Sequence, residues 1–231
     1  MMIRELILTL SLLPNHWQII PTNGNKIPLG YQWQKFAFSP QQMAAYLAQT
    51  GGVKILDKHQ CFYQVTPQGI GLLCGQTEKE YLVAIDADGS SAHAKIKELS
   101  NSRFLPKTVA FTSGRPGRSQ YLFSLPGTNH QLKSCKIPTA PGEALELRGT
   151  GLQSILPPSP HPLTGSYKWL PNCRPDQVEV AHAPQWVIDK MSKPLNTSKL
   201  LGRPHRNCLK NRIIASIIPL LTPISTKLYC F

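Results

Sequence analysis

Apolar and polar positions along this chain follow two periods, and the change from one to the other marks out its elements. Residues 3–13, "IRELILTLSLL", place apolar side chains at helical spacing and predict an amphipathic opening helix. "HWQIIP" (16–21) reads as a short strand ended by Pro21, and "TNGNK" (22–26) as a turn. At Ser39-Pro40 an N-cap serine precedes a proline in the first helical position, so a helix runs through "QQMAAYLAQT" until Gly51-Gly52 stops it. Strands are predicted at "IGLLCG" (70–75) and "EYLVAID" (80–86); the second is nearly continuous in apolar residues, as a strand covered on both faces must be. A helix over 92–99 follows, with Gly89 turning the chain and Ser90 or Ser91 as its cap. Strands then come at "KTVAFTS" (107–113) and "SQYLFSLP" (119–126), followed by a loop over 127–141. The last strands are "EALELRG" (143–149), "LQSILPP" (152–158) and "SYKWLP" (166–171).

Helix and strand alternate at first and strands cluster later, which predicts an α+β fold with a mixed sheet. There is no internal repeat. From Lys190 onward the periodicity fades, so residues 1–189 form the expected domain. Residues 190–231 form a basic tail, either poorly ordered or a linker cut short.

Charge sharpens that division. The chain carries 25 Lys and Arg against 12 Asp and Glu, a formal charge of +13. Eight of the cations and none of the acids fall in residues 190–231. An anionic partner fits this balance, whether nucleic acid or an anionic surface, and so does a solvated tail with no partner. Six scattered cysteines without a CxxC pair argue against structural zinc and for reduced thiols in a cytoplasmic protein. The opening "MMIRELILTLSLLP" is interrupted by Glu5 and lacks a small-residue cleavage site, so it is not read as a signal peptide. "IIASIIPLLTPI" (213–224) is shorter than the ~20 residues of a membrane span and is broken by Pro219 and Pro223, so no membrane partner is expected.

Four stretches carry candidate chemistry. In "YLVAIDADGS" (81–90), Asp86 and Asp88 stand at i and i+2 of a strand and therefore share a face, where like charges repel unless a cation lies between them. A strand running out into a polar turn explains the same residues. In "TSGRPGRSQYLFSLP" (112–126), two glycines and the guanidinium groups of Arg115 and Arg118 offer donors to an anion, although exposed arginines are ordinary in such hairpin loops. In "EALELRGTG" (143–151), Glu146 faces away from Leu145 and Leu147, as a solvent-side glutamate of an edge strand would. "PPSPHPLTGSYKW" (157–169) is a proline-rich turn that holds His161.

Taken in order, a strand ending Asp-x-Asp, a Gly/Arg loop entering a strand, a strand with one acid, and PPSxHPxxG resemble the bifunctional DNA primase/polymerase (prim-pol) domain of the archaeo-eukaryotic primase superfamily. Lys26, Pro28 and Trp33 in "KIPLGYQWQ", together with "GIGLLCG", extend the resemblance, which covers about residues 10–172. It implies a prim-pol fold and template-dependent nucleotidyl transfer from nucleoside triphosphates on single-stranded DNA, with a replicative helicase as a neighbour in the chain or the complex. It also implies a two-metal site in which Asp86, Asp88 and Glu146 hold Mg²⁺ or Mn²⁺ through hard oxygen ligands. Ser113, Arg115, Arg118 and the loop N–H groups would hold the triphosphate, with Ser159 and His161 lining the nucleotide site from the opposite side. The family's histidine in the strand after the Gly loop is missing. Anchoring on "FSLP" puts Gln120 at that place, and counting from Gly114 puts Ser119 there; the first is preferred because one extra loop residue is easily absorbed. The missing histidine supports a second reading, a weak or inactive relative that binds single-stranded nucleic acid in replication. No GxxxxGK[ST] occurs, so nothing in the chain resembles a P-loop.

Overall fold

The computed structural model describes residues 3–127, 130 and 132–192, and the expected tail lies outside the described residues from 193 onward. α1 (Ile3–Leu10) buries Leu6 and Leu10 and leaves Leu8 exposed. It stops short of the expected residue 13 because Pro14 disfavours helical geometry before it. β1 (Ile19–Thr22) leads through a short 3-10 turn, Trp33–Lys35, to α2 (Pro40–Thr50). Ser39 accepts from the Gln42 N–H while the Gln42 side chain accepts from the Ser39 N–H, and Gly51 closes the helix at φ 70. A hairpin absent from the sequence reading follows, β2 (Val53–Leu56) and β3 (Phe62–Val65). Next come β4 (Gly69–Leu73), β5 (Gly75–Gln76), β6 (Glu80–Asp88), α3 (Ser90–Leu99), β7 (Ala110–Thr112) and β8 (Arg118–Pro126). β9 (Cys135–Ala140), β10 (Glu143–Arg148) and β11 (Gln153–Leu156) follow. The last elements are the short strands β12 (Pro160–His161), β13 (Gly165–Ser166), β14 (Lys168–Trp169) and β15 (Ala181–His182), and then α4 (Gln185–Met191).

Most of these strands form one sheet in the order β14-β7-β8-β6-β10-β9, with β5 paired to β6 and β15 added parallel to β8. The other pairings are antiparallel, so the expected α+β class with a mixed sheet is what forms. A second sheet, β1-β4-β11, lies with α1 and α2 on one face of the large sheet, and α3 and α4 lie on the other. β6 shows why its sequence is continuously apolar. Leu82 and Ala84 join the first core, with Ile19, Ile70 and Leu156, while Tyr81, Val83, Ile85 and Ala87 join the second, with Ile96, Val187 and Met191.

Three local expectations need correction. The loop expected over 127–141 contains β9, which the sequence conceals because Pro138 sits in it; β9 is an edge strand, where a missing N–H is tolerated. "SYKWLP" divides into β13 and β14, which pair with different partners. Neither Ser90 nor Ser91 caps α3 with its side chain. Instead Glu143 of β10 reaches across, and its carboxylate accepts from the Ser91 N–H at 2.8 Å and the Ser91 hydroxyl at 2.6 Å. A carboxylate at a helix N-terminus is favoured by the helix dipole. The Ser91 hydroxyl and N–H hold the Glu143 carboxyl below its ordinary pKa.

Among the described residues no helix is long and apolar enough to cross a membrane. The expected domain boundary at 189 falls inside α4, whose Val187 and Met191 are fully buried. Met191→Ala should therefore cost about 3 kcal/mol in a urea titration, since it deletes a fully enclosed side chain. Leu8→Ala on the exposed face of α1 should change stability by about 0.5 kcal/mol or less.

Candidate active site

The site begins where the first core ends. Positions 82, 84, 86 and 88 of β6 share one face; the first two are apolar and buried under the second sheet, and the last two are the aspartates. The neighbouring strands complete the surface by register. Asp86 lies opposite Gln120 of β8 on one side and Glu146 of β10 on the other, and Asp88 lies opposite Arg118 and Ala144. Two strands distant in sequence thus put a third carboxylate beside the Asp-x-Asp pair. Glu146 is not on an edge strand, because β9 covers the far side of β10.

The carboxylates do not stand uncompensated, and the cations between them belong to the chain itself. Arg148, two residues beyond Glu146 and so on the same face, donates from Nη2 to Asp86 and also to Glu146 Oε2 at 2.9 Å. Its Nη1 donates to the Gln153 carbonyl at 3.1 Å, which fixes the guanidinium plane. Arg118 pairs with Asp88, and Lys136 of β9 reaches Glu146 Oε1 at 2.6 Å. Three acids thus meet three cations. Burial raises the Asp86 carboxyl above its ordinary pKa, Glu146 and Asp88 push it the same way, and Arg148 and Gln120 oppose them. Burial acts on Glu146 in the same sense, yet Lys136 and Arg148 outweigh it and hold that carboxyl low. Arg148 and Lys136 were missed as site residues by the sequence reading; the Glu-x-Arg spacing is the signal that could have found Arg148.

The three acids, Arg118 and Arg148 line a cleft of about 320 Å³. It brings together Asp86, Asp88, Glu146, Ser113, Arg115, Arg118, Gln120 and His161, eight of the nine residues singled out in the sequence. Ser159 stays apart. It is 1% exposed, and its hydroxyl donates to the Ile70 carbonyl and accepts from the Ile70 N–H, tying the PPS turn to β4. Lys26, Gln153 and Tyr167 also line the cleft and were not anticipated as site residues. The Gly/Arg loop is pinned from two sides. Thr112 Oγ1 donates to the Arg118 carbonyl at 2.6 Å and accepts from the Gly114 N–H at 3.0 Å, and Thr164 donates to the Ser113 carbonyl. Gly117, at φ +67, packs so close that a Cβ there would stand 3.0 Å from the Ser90 nitrogen. Burial lowers the pKa of His161, and Lys26, Arg115 and Arg118 add to the effect, so its imidazole is neutral at pH 7.

The register also separates Gln120 from Ser119. Gln120 faces the aspartates, whereas the Ser119 hydroxyl turns to α3, 3.2 Å from His93 Nε2 and 3.0 Å from the Tyr121 hydroxyl. Among the described residues no three Asp, Glu, His or Cys side chains converge as a ready metal cage, because the acids are turned onto arginine and lysine. The donor set itself, three carboxylates adjacent in register, is nevertheless of the hard-oxygen kind that Mg²⁺ and Mn²⁺ take.

The family model described as bifunctional DNA primase/polymerase, N-terminal, matches residues 9–186. Among curated proteins none matches the chain significantly.

Two outcomes are expected from this geometry. Arg148→Met should lower stability by about 3 kcal/mol in denaturant, because it leaves Asp86 buried without its cation. Adding Asp86→Asn should restore part of the loss, and Lys136→Met should leave the midpoint essentially unchanged because Lys136 lies in solvent. Ser119→His should lower the melting temperature by crowding His93 and Tyr121, whereas Gln120→His, opening into the cleft, should not.

Proposed function

The chain belongs to the bifunctional DNA primase/polymerase N-terminal family, and from that premise we propose that it transfers nucleotides from nucleoside triphosphates to a 3′-hydroxyl on a single-stranded DNA template. The observation that carries this reading is the register that sets Asp86, Asp88 and Glu146 side by side at the floor of a cleft rimmed by Lys26, Arg115 and Arg118. Asp86, Asp88 and Glu146 would hold Mg²⁺ or Mn²⁺, which when bound activates the attacking hydroxyl and neutralises the leaving pyrophosphate. In the transfer the O3′–Pα bond forms while the bond from Pα to pyrophosphate breaks, and the hydroxyl proton passes to solvent.

The chain's own residues bind and orient. Arg118 exchanges Asp88 for phosphate oxygens, and Arg115 adds a second guanidinium, the group best matched to phosphate by its fork of donors. Lys26 supplies a point charge from the facing wall. A neutral His161 contributes a hydrogen bond and no charge. Gln120 donates its amide N–H where the family's histidine would stand, giving orientation without basicity. Arg148 opposes the burial that raises Asp86, helps hold Glu146 low, and keeps both acids in place until substrate arrives.

A second reading, a catalytically weak relative that holds single-stranded nucleic acid, is favoured by two observations: Gln120 in place of the family's histidine, and internal cations that already neutralise the acids. Primer extension on a single-stranded template with Mg²⁺ or Mn²⁺ separates the two. On the first reading the parent incorporates nucleotide, and Asp86→Asn or Asp88→Asn reduces incorporation at least a hundredfold while the fold persists. Extension by either variant at the parental rate would sink the metal assignment. Extension by neither parent nor variants, with oligonucleotide binding intact, would leave the second reading standing.

A further inference from the structure

A second concave surface lies outside the cleft, between the Trp33–Lys35 turn, α2 and the β2–β3 hairpin. It is a groove of about 420 Å³ whose walls carry Phe36, Tyr46 and Phe62, which are 42%, 43% and 66% exposed. Single exposed apolar side chains are ordinary, but several gathered in one concave patch rimmed by polar residues mark an interaction site. Tyr46 is held edge-on against Phe38 with ring centroids 6.1 Å apart, so its ring is fixed and not free to fold away. Lys35 and Lys54 line the same groove, and Lys58 stands exposed on the hairpin turn.

Residues 26–65 hold four lysines, and their only acid is Asp57. Its carboxylate is taken up within the turn, accepting from the His59 and Cys61 N–H groups at 2.8 Å each. The groove therefore presents exposed rings and positive charge with no free acid of its own segment to oppose an anion. One chain segment runs from the cleft to the groove. The segment 26–36 starts at Lys26 in the cleft wall and ends at Phe36 in the groove, with Ile27 and Tyr31 exposed between them. The Tyr31 N–H donates to the Leu56 carbonyl at 2.7 Å, which binds this strap to the hairpin.

We propose that this groove is a docking site for single-stranded nucleic acid, with bases stacking on Phe36, Tyr46 and Phe62 and phosphates meeting Lys35 and Lys54. The proposal rests on the nucleotidyltransfer reading for the strand's path past Lys26, but the groove's chemistry is independent of it. Rings interleaved with lysines suit a strand whose every base has a π-face and whose backbone is anionic. They would hold bases of any sequence.

The test uses the full chain and a fluorescently labelled oligodeoxythymidine, titrated by anisotropy in EDTA without nucleotide. Phe36→Ala combined with Phe62→Ala should weaken binding about tenfold, with an unchanged thermal melt because both rings are exposed. Phe62→Trp should retain binding. Lys35→Gln combined with Lys54→Gln should reduce the slope of log K against log salt by about 1.4. Parental affinity in the double phenylalanine variant overturns the proposal, as does loss of a protein partner by that variant while the oligonucleotide still binds. If groove variants lose the oligonucleotide but the parent never extends a primer, the groove stands and the polymerase reading falls. If the parent extends primers and groove variants bind and extend normally, the groove alone falls.

Discussion

β6 is hydrogen-bonded along both edges and covered by apolar side chains on both faces, so its register against β8 and β10 cannot slip. A shift of one residue would carry Tyr81, Val83, Ile85 and Ala87 to the side of Leu82 and Ala84, and would drive both aspartates into the core beneath α3. The apolar half of the strand thus pays for the precision of its polar half. The register at the candidate site follows from that lock: Glu146 beside Asp86, Arg118 beside Asp88, Gln120 toward the aspartates and the Ser119 hydroxyl toward α3. The aspartates sit at the end of the strand, beyond the buried Leu82 and Ala84, where Gln153 and Ile155 of β11 form part of the cleft wall.

Electrostatics then decides what that open face can hold. Three acids within one patch would ordinarily force at least one to stay protonated. Here Asp86 is shifted upward, chiefly by burial, while Glu146 is held low by its two cations. Arg148 is the hinge of the arrangement. It touches both inner acids, is itself mostly enclosed, and is anchored from behind by a backbone carbonyl. The three acids are thus already paired within the chain, and the open face is an ordered one on which Lys26 and Arg115 add further positive charge.

Much of this was legible in the sequence, and the exceptions have physical causes. The central strands were visible because burial on both faces leaves an unbroken apolar run, and α2 was visible because its cap chemistry is local. β9 was hidden by Pro138, and β2–β3 by a half-exposed pattern that follows no clean alternation. Eight of the residues singled out in the sequence line one cleft; i and i+2 spacing alone puts Asp86 and Asp88 on one face, and the fold brings the other six to them. Ser159 spends its hydroxyl on the Ile70 backbone, a use that a hydroxyl in a tight turn does not announce in sequence. Lys136 was invisible because its role comes from cross-strand pairing with Glu146, which only the fold supplies. The capping of α3 was likewise non-local.

That remote cap gives Gly89 an unexpected meaning. An Asp-x-Asp-Gly run reads as a turn glycine, and φ +128 does favour one. Yet a Cβ at 89 would also sit 2.1 Å from Glu143 Cδ, inside the carboxylate that holds the start of α3. Positions 89 and 143 therefore behave as a single choice: a side chain at one excludes the long acid at the other. Among sequences sharing this architecture the two positions should vary as a linked pair, so that a helix capped by its own serine or aspartate frees the strand position to become something else.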